Sequence, residues 1–276
     1  MSVKTIILTG AASGMGRAMA IGLVNAGHRV LAVDRDAAAL ESLAALTEAP
    51  DGLHIQHADL TDDSSAAAIV AHALQVFGRI DALVNNAGIN LMSHRRSRVA
   101  LRPRFWELDA QVVRLFSEIN TLAPFKLTAA VAPHMIDAGS GRIVNVTTSL
   151  VAMLTSGMAP YGPTKAATES MSAIMAADLA GTGVTVNVLL PGGPVDTPMV
   201  GDDPPIARAL LLPTDTMLAP LLWLISDGAA KVSGRRFISR LWDPSVPAEV
   251  AAHRASAAIG WPTDAGEKWV PKPNDT

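Results

Sequence analysis

Short apolar runs alternate along the chain with longer stretches in which apolar positions recur at helical spacing. Residues 3–9 (VKTIILT) are apolar at nearly every position and rich in β-branched residues, as in a strand buried on both faces. A glycine turn follows, and then Met15, Ala18, Met19, Gly22, Leu23 and Ala26 fall on a helical period. The alternation continues with strands expected over 28–34, 53–60, 80–88, 141–148, 184–193 and 235–242. Helices are expected over 37–47, about 62–77 and within 112–135. This order predicts an α/β protein with a single doubly wound parallel sheet of about seven strands, covered by helices on both faces.

Composition narrows the partners. The 276 residues are 49% hydrophobic and 17% charged, enough apolar material for one large domain. The formal net charge of −3 gives no reason to expect nucleic acid or an acidic membrane as partner. Cysteine is absent, which excludes disulfides, thiolate metal sites and cysteine nucleophiles. His28, His54, His57, His72, His94, His134 and His253 are scattered without zinc spacing, so no metal is expected. The first apolar run is short and enters a glycine turn, unlike a signal peptide, and no apolar run is long enough for a bilayer. These features predict a cytoplasmic protein. A domain is expected over 1–242, carrying an arginine-rich insertion at 89–107, with 243–276 as an extension packed on the same domain.

TGAASGMG (9–16) joins the first strand to the first helix. Gly10, Gly14 and Gly16 permit a tight turn and close backbone approach. The free N–H groups of the following helix, with its positive dipole end, then suit a pyrophosphate. A structural turn is the alternative for glycines alone. Asp34 closes the second strand, 18 positions after Gly16. In a Rossmann unit a carboxylate here accepts from the adenosine ribose hydroxyls and repels a 2′-phosphate, which favours NAD; its alternative role is a helix cap. Arg35 beside it is the residue that would hold the NADP phosphate.

TGAASGMG, NNAG (85–88) and YGPTK (161–165), in that order, resemble the motifs of the short-chain dehydrogenase/reductase family, and PGGPVDT (191–197) is similar to its loop after the sixth strand. The likeness covers about residues 3–240. It implies a Rossmann fold, a nicotinamide cofactor, hydride transfer between a secondary alcohol and a ketone, and a homotetramer or homodimer. By this resemblance the cofactor is held by Gly10, Ser13, Gly14, Met15, Gly16, Asp34, Arg35, Asp59, Leu60, Asn86, Ala87, Gly88, Tyr161, Lys165, Pro191, Gly192, Val195 and Thr197. The catalytic set it implies is Asn120, Thr148, Tyr161 and Lys165, with Asn120 holding a water that connects Lys165 to solvent.

The chemistry accounts for the Tyr161–Lys165 spacing. A phenol titrates near pH 10, too high for a base at neutral pH, and a nearby ammonium stabilises the phenolate. Four residues apart on a helix, the two side chains share a face. Pro163 is tolerated in the first helical turn. The family's usual serine lies thirteen positions before the tyrosine, where this chain has Thr148, followed by Ser149. Threonine offers the same hydroxyl with an extra methyl. PGGPVDT is one residue longer than the commoner family spacing, which leaves the contacts of that loop open. Arg95, Arg96, Arg98, Arg102 and Arg104 suggest a wall that recognises an acidic substrate; a solvated surface or subunit contact is the alternative. NAD is therefore expected as cofactor, with NADP as the alternative, and a small alcohol or ketone as substrate. The competing functions are an NADPH-dependent carbonyl or 3-oxoacyl reductase and a non-catalytic NAD-binding sensor or scaffold.

Overall fold

A computed structural model describes residues 2–46, 52–91, 103–200 and 207–261. Its strands are β1 (Thr5–Thr9), β2 (Arg29–Asp34), β3 (Leu53–His57), β4 (Ala82–Asn85), β5 (Gly141–Val146), β6 (Val184–Leu190), β7 (Arg235–Ile238) and β8 (Ser256–Ala258). They form one sheet in the order β3-β2-β1-β4-β5-β6-β7-β8. Every pairing is parallel except β7 with β8. The doubly wound α/β expectation therefore holds, with an eighth strand at the edge. That strand lies in the tail read from sequence only as an extension. Ser256, Ala257 and Ala258 carry little strand propensity; they pair because the edge of β7 offers unpaired backbone groups.

Alternation along each strand feeds two cores. Ile6 and Leu8 of β1, with Val30 and Ala32 of β2, pack on one face against α1 (Gly14–Asn25) and α2 (Ala37–Ala44). Helices α8 (Leu218–Leu224) and α9 (Ala248–Arg254) complete that layer with Leu221, Leu224 and Ala252. Ile7, Leu31 and Val33 point to the opposite face. There they meet Ile69, Val70 and Ala73 of α3 (Ser65–Phe77) and Leu127, Val131 and Met135 of α5 (Ala123–Asp137). Met175 of α7 (Tyr161–Asp178) joins them. With side chains buried on both faces, these strands read as continuous apolar runs.

The helical stretch expected within 112–135 is α4 (Ala110–Ser117), a π turn over Glu118–Leu122, and α5. The strands expected over 53–60 and 80–88 stop at His57 and Asn85. Beyond those points the chain leaves the sheet to build loops at the carboxyl ends of the strands. Strand order reverses between β1 and β4, and in such a sheet the crevice at the reversal is where ligands bind.

Candidate active site

The loop from Gly10 to Ser13 passes over that crevice. Gly10 and Gly14 both have positive φ. A Cβ at Gly16 would stand 1.8 Å from the carbonyl oxygen of Gly10, so only glycine fits. Ser13 is the N-cap of α1, yet its side chain caps nothing, leaving the helix end to an outside acceptor. Asp34 is bound into the same loop: its carboxylate accepts from Ala12 N at 3.0 Å and Asp36 N at 3.1 Å. Both oxygens keep acceptor capacity for hydroxyl donors. The helix cap that was the alternative reading of this acid is supplied by Asp36, which accepts from Ala39 N at 3.0 Å. Arg35 is exposed, and its carbonyl lies 3.0 Å from His57 Nε2.

Asp59 is exposed and Leu60 packs against the second core. Hydrogen bonds from the backbone and hydroxyl of Thr61 hold the Asp59 carboxyl below its ordinary range. Asn86 closes the β1–β4 crevice, donating from its side chain to the carbonyls of Thr9 at 3.0 Å and Gly10 at 3.1 Å. Ala87 N donates to the Thr9 hydroxyl at 3.1 Å. Gly88 lies close against the opposite wall: a Cβ there would lie 3.1 Å from Asn120 Oδ1 and 3.2 Å from Lys165 Nζ, a tight fit that those side chains would have to yield to. On the far rim, Pro191 accepts from Arg240 N and Gly192 has φ +90°. Val195 bridges to Leu212, and the Thr197 hydroxyl donates to the Val195 carbonyl at 3.3 Å. Thr197 also packs beside Gly14, so this loop touches the glycine turn.

Tyr161 is the first residue of α7 and Lys165 follows one turn later, with Pro163 in the opening turn as expected. Burial pushes the Tyr161 phenol up, and a hydrogen bond from the Thr148 side chain pulls it back. Lys165 is buried and donates to the Val146 carbonyl at 2.9 Å. Burial lowers its ammonium from 10.5 to about 8. Ser149 is occupied elsewhere: its hydroxyl accepts from Ala152 N at 3.1 Å and caps α6 (Leu150–Leu154). Of the two neighbouring hydroxyls, Thr148 is thus the one beside the phenol.

Asn120 sits in the π turn, a distortion common at functional sites. Its side chain accepts from Ile89 N at 2.9 Å and donates to the Ile89 carbonyl at 3.0 Å. It also donates to the Thr164 hydroxyl at 3.1 Å, tying the turn after β4 to α7. Its backbone carbonyl accepts from Thr168 at 2.6 Å.

The structure adds residues that sequence reasoning did not select. Glu169, fully buried on α7, pairs with Arg236 of β7 at 2.9 Å. It also accepts from Thr147 Oγ1 at 2.9 Å. The signal in the sequence was an acid continuing the 161, 165 spacing on a helix face. Of the arginine-rich segment, Arg95, Arg96, Arg98 and Arg102 lie outside the described residues. Arg104 is exposed, its backbone N–H donating to Glu107 at 2.8 Å.

A family profile described as short chain dehydrogenase matches residues 4–205. A 3-oxoacyl-acyl-carrier-protein reductase of Thermotoga maritima is 32% identical over 84% of this chain and 94% of its own. A cis-4-hydroxycyclohexanecarboxylate dehydrogenase of Sinomonas cyclohexanicum is 32% identical over 84% of this chain and 92% of its own. Among solved structures, a 3-ketoacyl-(acyl-carrier-protein) reductase from Brucella melitensis complexed with NADH superposes with a TM-score of 0.72 at 26% identity. That match covers 83% of this chain and 93% of the other. The chain belongs to the short-chain dehydrogenase family. It is an NAD(P)-dependent oxidoreductase of the alcohol–ketone class, and the glycine cradle, the uncapped helix end and Asp34 fit a dinucleotide.

Proposed function

We propose that this protein oxidises a secondary alcohol bearing an acidic group, with NAD preferred, and that Tyr161 is its acid/base. The observation that carries the reading is the grouping of Tyr161, Lys165 and Thr148 at the mouth of the crevice that Asp34 and the glycine loop define. A bound nicotinamide supplies the hydride acceptor in oxidation and the donor in reduction. In oxidation the Tyr161 phenolate takes the substrate hydroxyl proton as the C–H bond breaks; in reduction the phenol returns it. The Thr148 hydroxyl donates to the substrate oxygen and fixes its distance from the phenol. The Lys165 ammonium favours the phenolate and offers its remaining donors to the nicotinamide ribose. Asn120 holds the turn that carries Gly88 against Lys165, and its proposed water connects the ammonium to solvent.

NAD preference is supported by Asp34, whose position the loop N–H of Ala12 fixes. Arg35 supports the second reading, an NADPH-dependent reductase. The acidic substrate is supported by the five arginines between 95 and 104 and by the carboxylate named for the Sinomonas relative. A dimer or tetramer is supported by exposed Val113 of α4, Leu122 of the π turn and Phe125 of α5. Among the described residues no helix is long and apolar enough to cross a membrane. The cytoplasm is the setting we assign.

The test is a panel of secondary alcohols and ketones, matched in size with and without a carboxylate, assayed with NAD(H) and NADP(H). Faster turnover of the carboxylates with NAD supports the proposal. Equal kcat/KM for charged and neutral members removes the acidic substrate, and faster turnover with NADP removes the cofactor preference.

A further inference from the structure

Tyr161, Lys165 and Glu169 stand at four-residue intervals on one face of α7, and only the third has no task in the chemistry above. Glu169 is wholly buried, and its partner Arg236 is nearly so, with side-chain exposures of 0% and 7%. A buried carboxylate is expensive unless its acceptor sites are filled. Here one oxygen accepts from Arg236 Nε at 2.9 Å and from Gly260 N at 3.3 Å. The other accepts from the Thr147 hydroxyl at 2.9 Å. The guanidinium is then aimed by its first contact. Its Nη2 donates to the backbone carbonyl of Thr148 at 3.1 Å.

The two ends of this network therefore grip consecutive residues, Thr147 by its side chain and Thr148 by its backbone. The Thr148 side chain is left to face the phenol. The acid that supplies the grip rides on the helix that carries Tyr161 and Lys165. The geometry points to Glu169 and Arg236 as a positioning pair for the reaction: they hold the Thr148 loop in fixed relation to the catalytic helix. A planar fork suits this task, since one nitrogen can bind the carboxylate while another binds the carbonyl. The Gly260 contact extends the same network to the chain just after β8, so the C-terminal segment braces the pair. This inference rests on the reading of Thr148 as the residue that orients the substrate oxygen.

Glu169→Gln alone leaves a buried guanidinium without its counter-charge and loses stability for that reason. The decisive variant is Glu169→Met combined with Arg236→Met, which removes both charges and keeps apolar volume. A pair that only staples the fold is replaceable in this way, with melting temperature and kcat both recovering relative to Glu169→Gln. A positioning pair is not: melting temperature and NADH affinity recover, while kcat stays at least about tenfold low, the size of effect expected from a misplaced contact. The activity arm uses the fastest substrate of the alcohol panel. A second arm needs no substrate: hydrogen exchange of the amides over 147–153 quickens in the double variant. In the wild type that segment is pinned by Thr147 N on the Leu189 carbonyl and Met153 N on the Ser149 carbonyl. Arg236→Lys serves if the double variant folds poorly. It keeps the positive charge beside Glu169 but replaces the two nitrogens of the fork, Nε on Glu169 and Nη2 on the Thr148 carbonyl, by a single one that cannot reproduce that geometry, and the same fall in kcat is expected.

Wild-type kcat in the double variant and in Arg236→Lys overturns the proposal, as does unchanged exchange over 147–153. Thr148→Ala separates the two failures. If Thr148→Ala is slow while the charge-pair variants are fast, the positioning role alone is wrong. If Thr148→Ala itself turns over at the wild-type rate, the reading of Thr148 fails and this inference falls with it.

Discussion

The two sides of the crevice are built from different materials. On the β1–β2 side the cradle is mostly backbone: glycines that admit close approach, an uncapped helix end, and one carboxylate tied to two loop N–H groups. On the β5–α7 side it is side chains: half-buried Tyr161 and Thr148, buried Lys165, and the buried Glu169–Arg236 pair behind them. A backbone cradle suits an invariant ligand such as a pyrophosphate. A side-chain cluster is where proton affinities can be set, because burial and charge act on titratable groups. The first side should therefore fail by steric change and the second by changes of charge and geometry.

The largest effect on the backbone side is expected at Gly16. Gly16→Ala places a methyl 1.8 Å from the Gly10 carbonyl, so the loop must move. Overpacking of this kind costs about 1–3 kcal/mol or more. NADH affinity measured by fluorescence should fall at least about tenfold, and unchanged affinity would remove the close approach from the account.

On the other side Lys165→Met should make a protein that is more stable and less active. Holding the ammonium buried lowers it from 10.5 to about 8, which corresponds to about 3 kcal/mol against folding at neutral pH. Between about 8 and 10.5 the unfolded chain binds the proton and the folded one does not, so wild-type stability gains from this group as pH rises through that window. The variant should lack that rise, melt higher at pH 7, and lose about 10²- to 10⁴-fold in kcat. A lower melting temperature would contradict the cost assigned to Lys165.

A smaller change is expected for Asp34→Ser. Losing a charged acceptor should shift the NAD:NADP ratio of kcat/KM by about 10- to 100-fold towards NADP, as one charge-assisted hydrogen bond and one repulsion disappear. An unchanged ratio would take cofactor choice away from Asp34.

The smallest effect lies far from the crevice, at His28. Burial first, and then the Lys4 charge, hold its imidazole below the usual 6.5, while Asp81 opposes them. The folded protein thus keeps His28 neutral where the unfolded chain protonates. Its contribution is present above 6.5 and is lost as pH falls through the folded value. His28→Gln should flatten that acid limb in urea titrations from pH 5 to 8; an equally steep limb would mean another group carries it.

The contrast between the two sides also explains what could be read in the sequence. Gly16 and Asp34 lie within one β1–turn–α1–β2 unit, so spacing alone reveals them. Tyr161 and Lys165 are one helical turn apart, and Thr148 lies only thirteen residues upstream. The Glu169–Arg236 pair spans 67 residues, the Arg236–Thr148 contact 88 and the Gly260–Glu169 contact 91. No periodicity joins positions so far apart; only sheet order and the docking of α7 bring them together. Strand β8 escaped for a related reason, since Ser256–Ala258 acquires strand structure from the β7 edge rather than from its own residues. The expected strands run past His57 and Asn85 because small and apolar residues, Ala58 and Leu60 in one case and Ala87 and Gly88 in the other, continue into the loops that build the crevice.

The central claim is that a single phenol moves the proton. Tyr161→Phe removes one oxygen and little else. With NADH binding followed by fluorescence and turnover followed on the fastest alcohol of the panel, the account predicts unchanged NADH affinity and a fall in kcat of about 10²- to 10⁴-fold. A variant that binds NADH normally and turns over at the wild-type rate would contradict it.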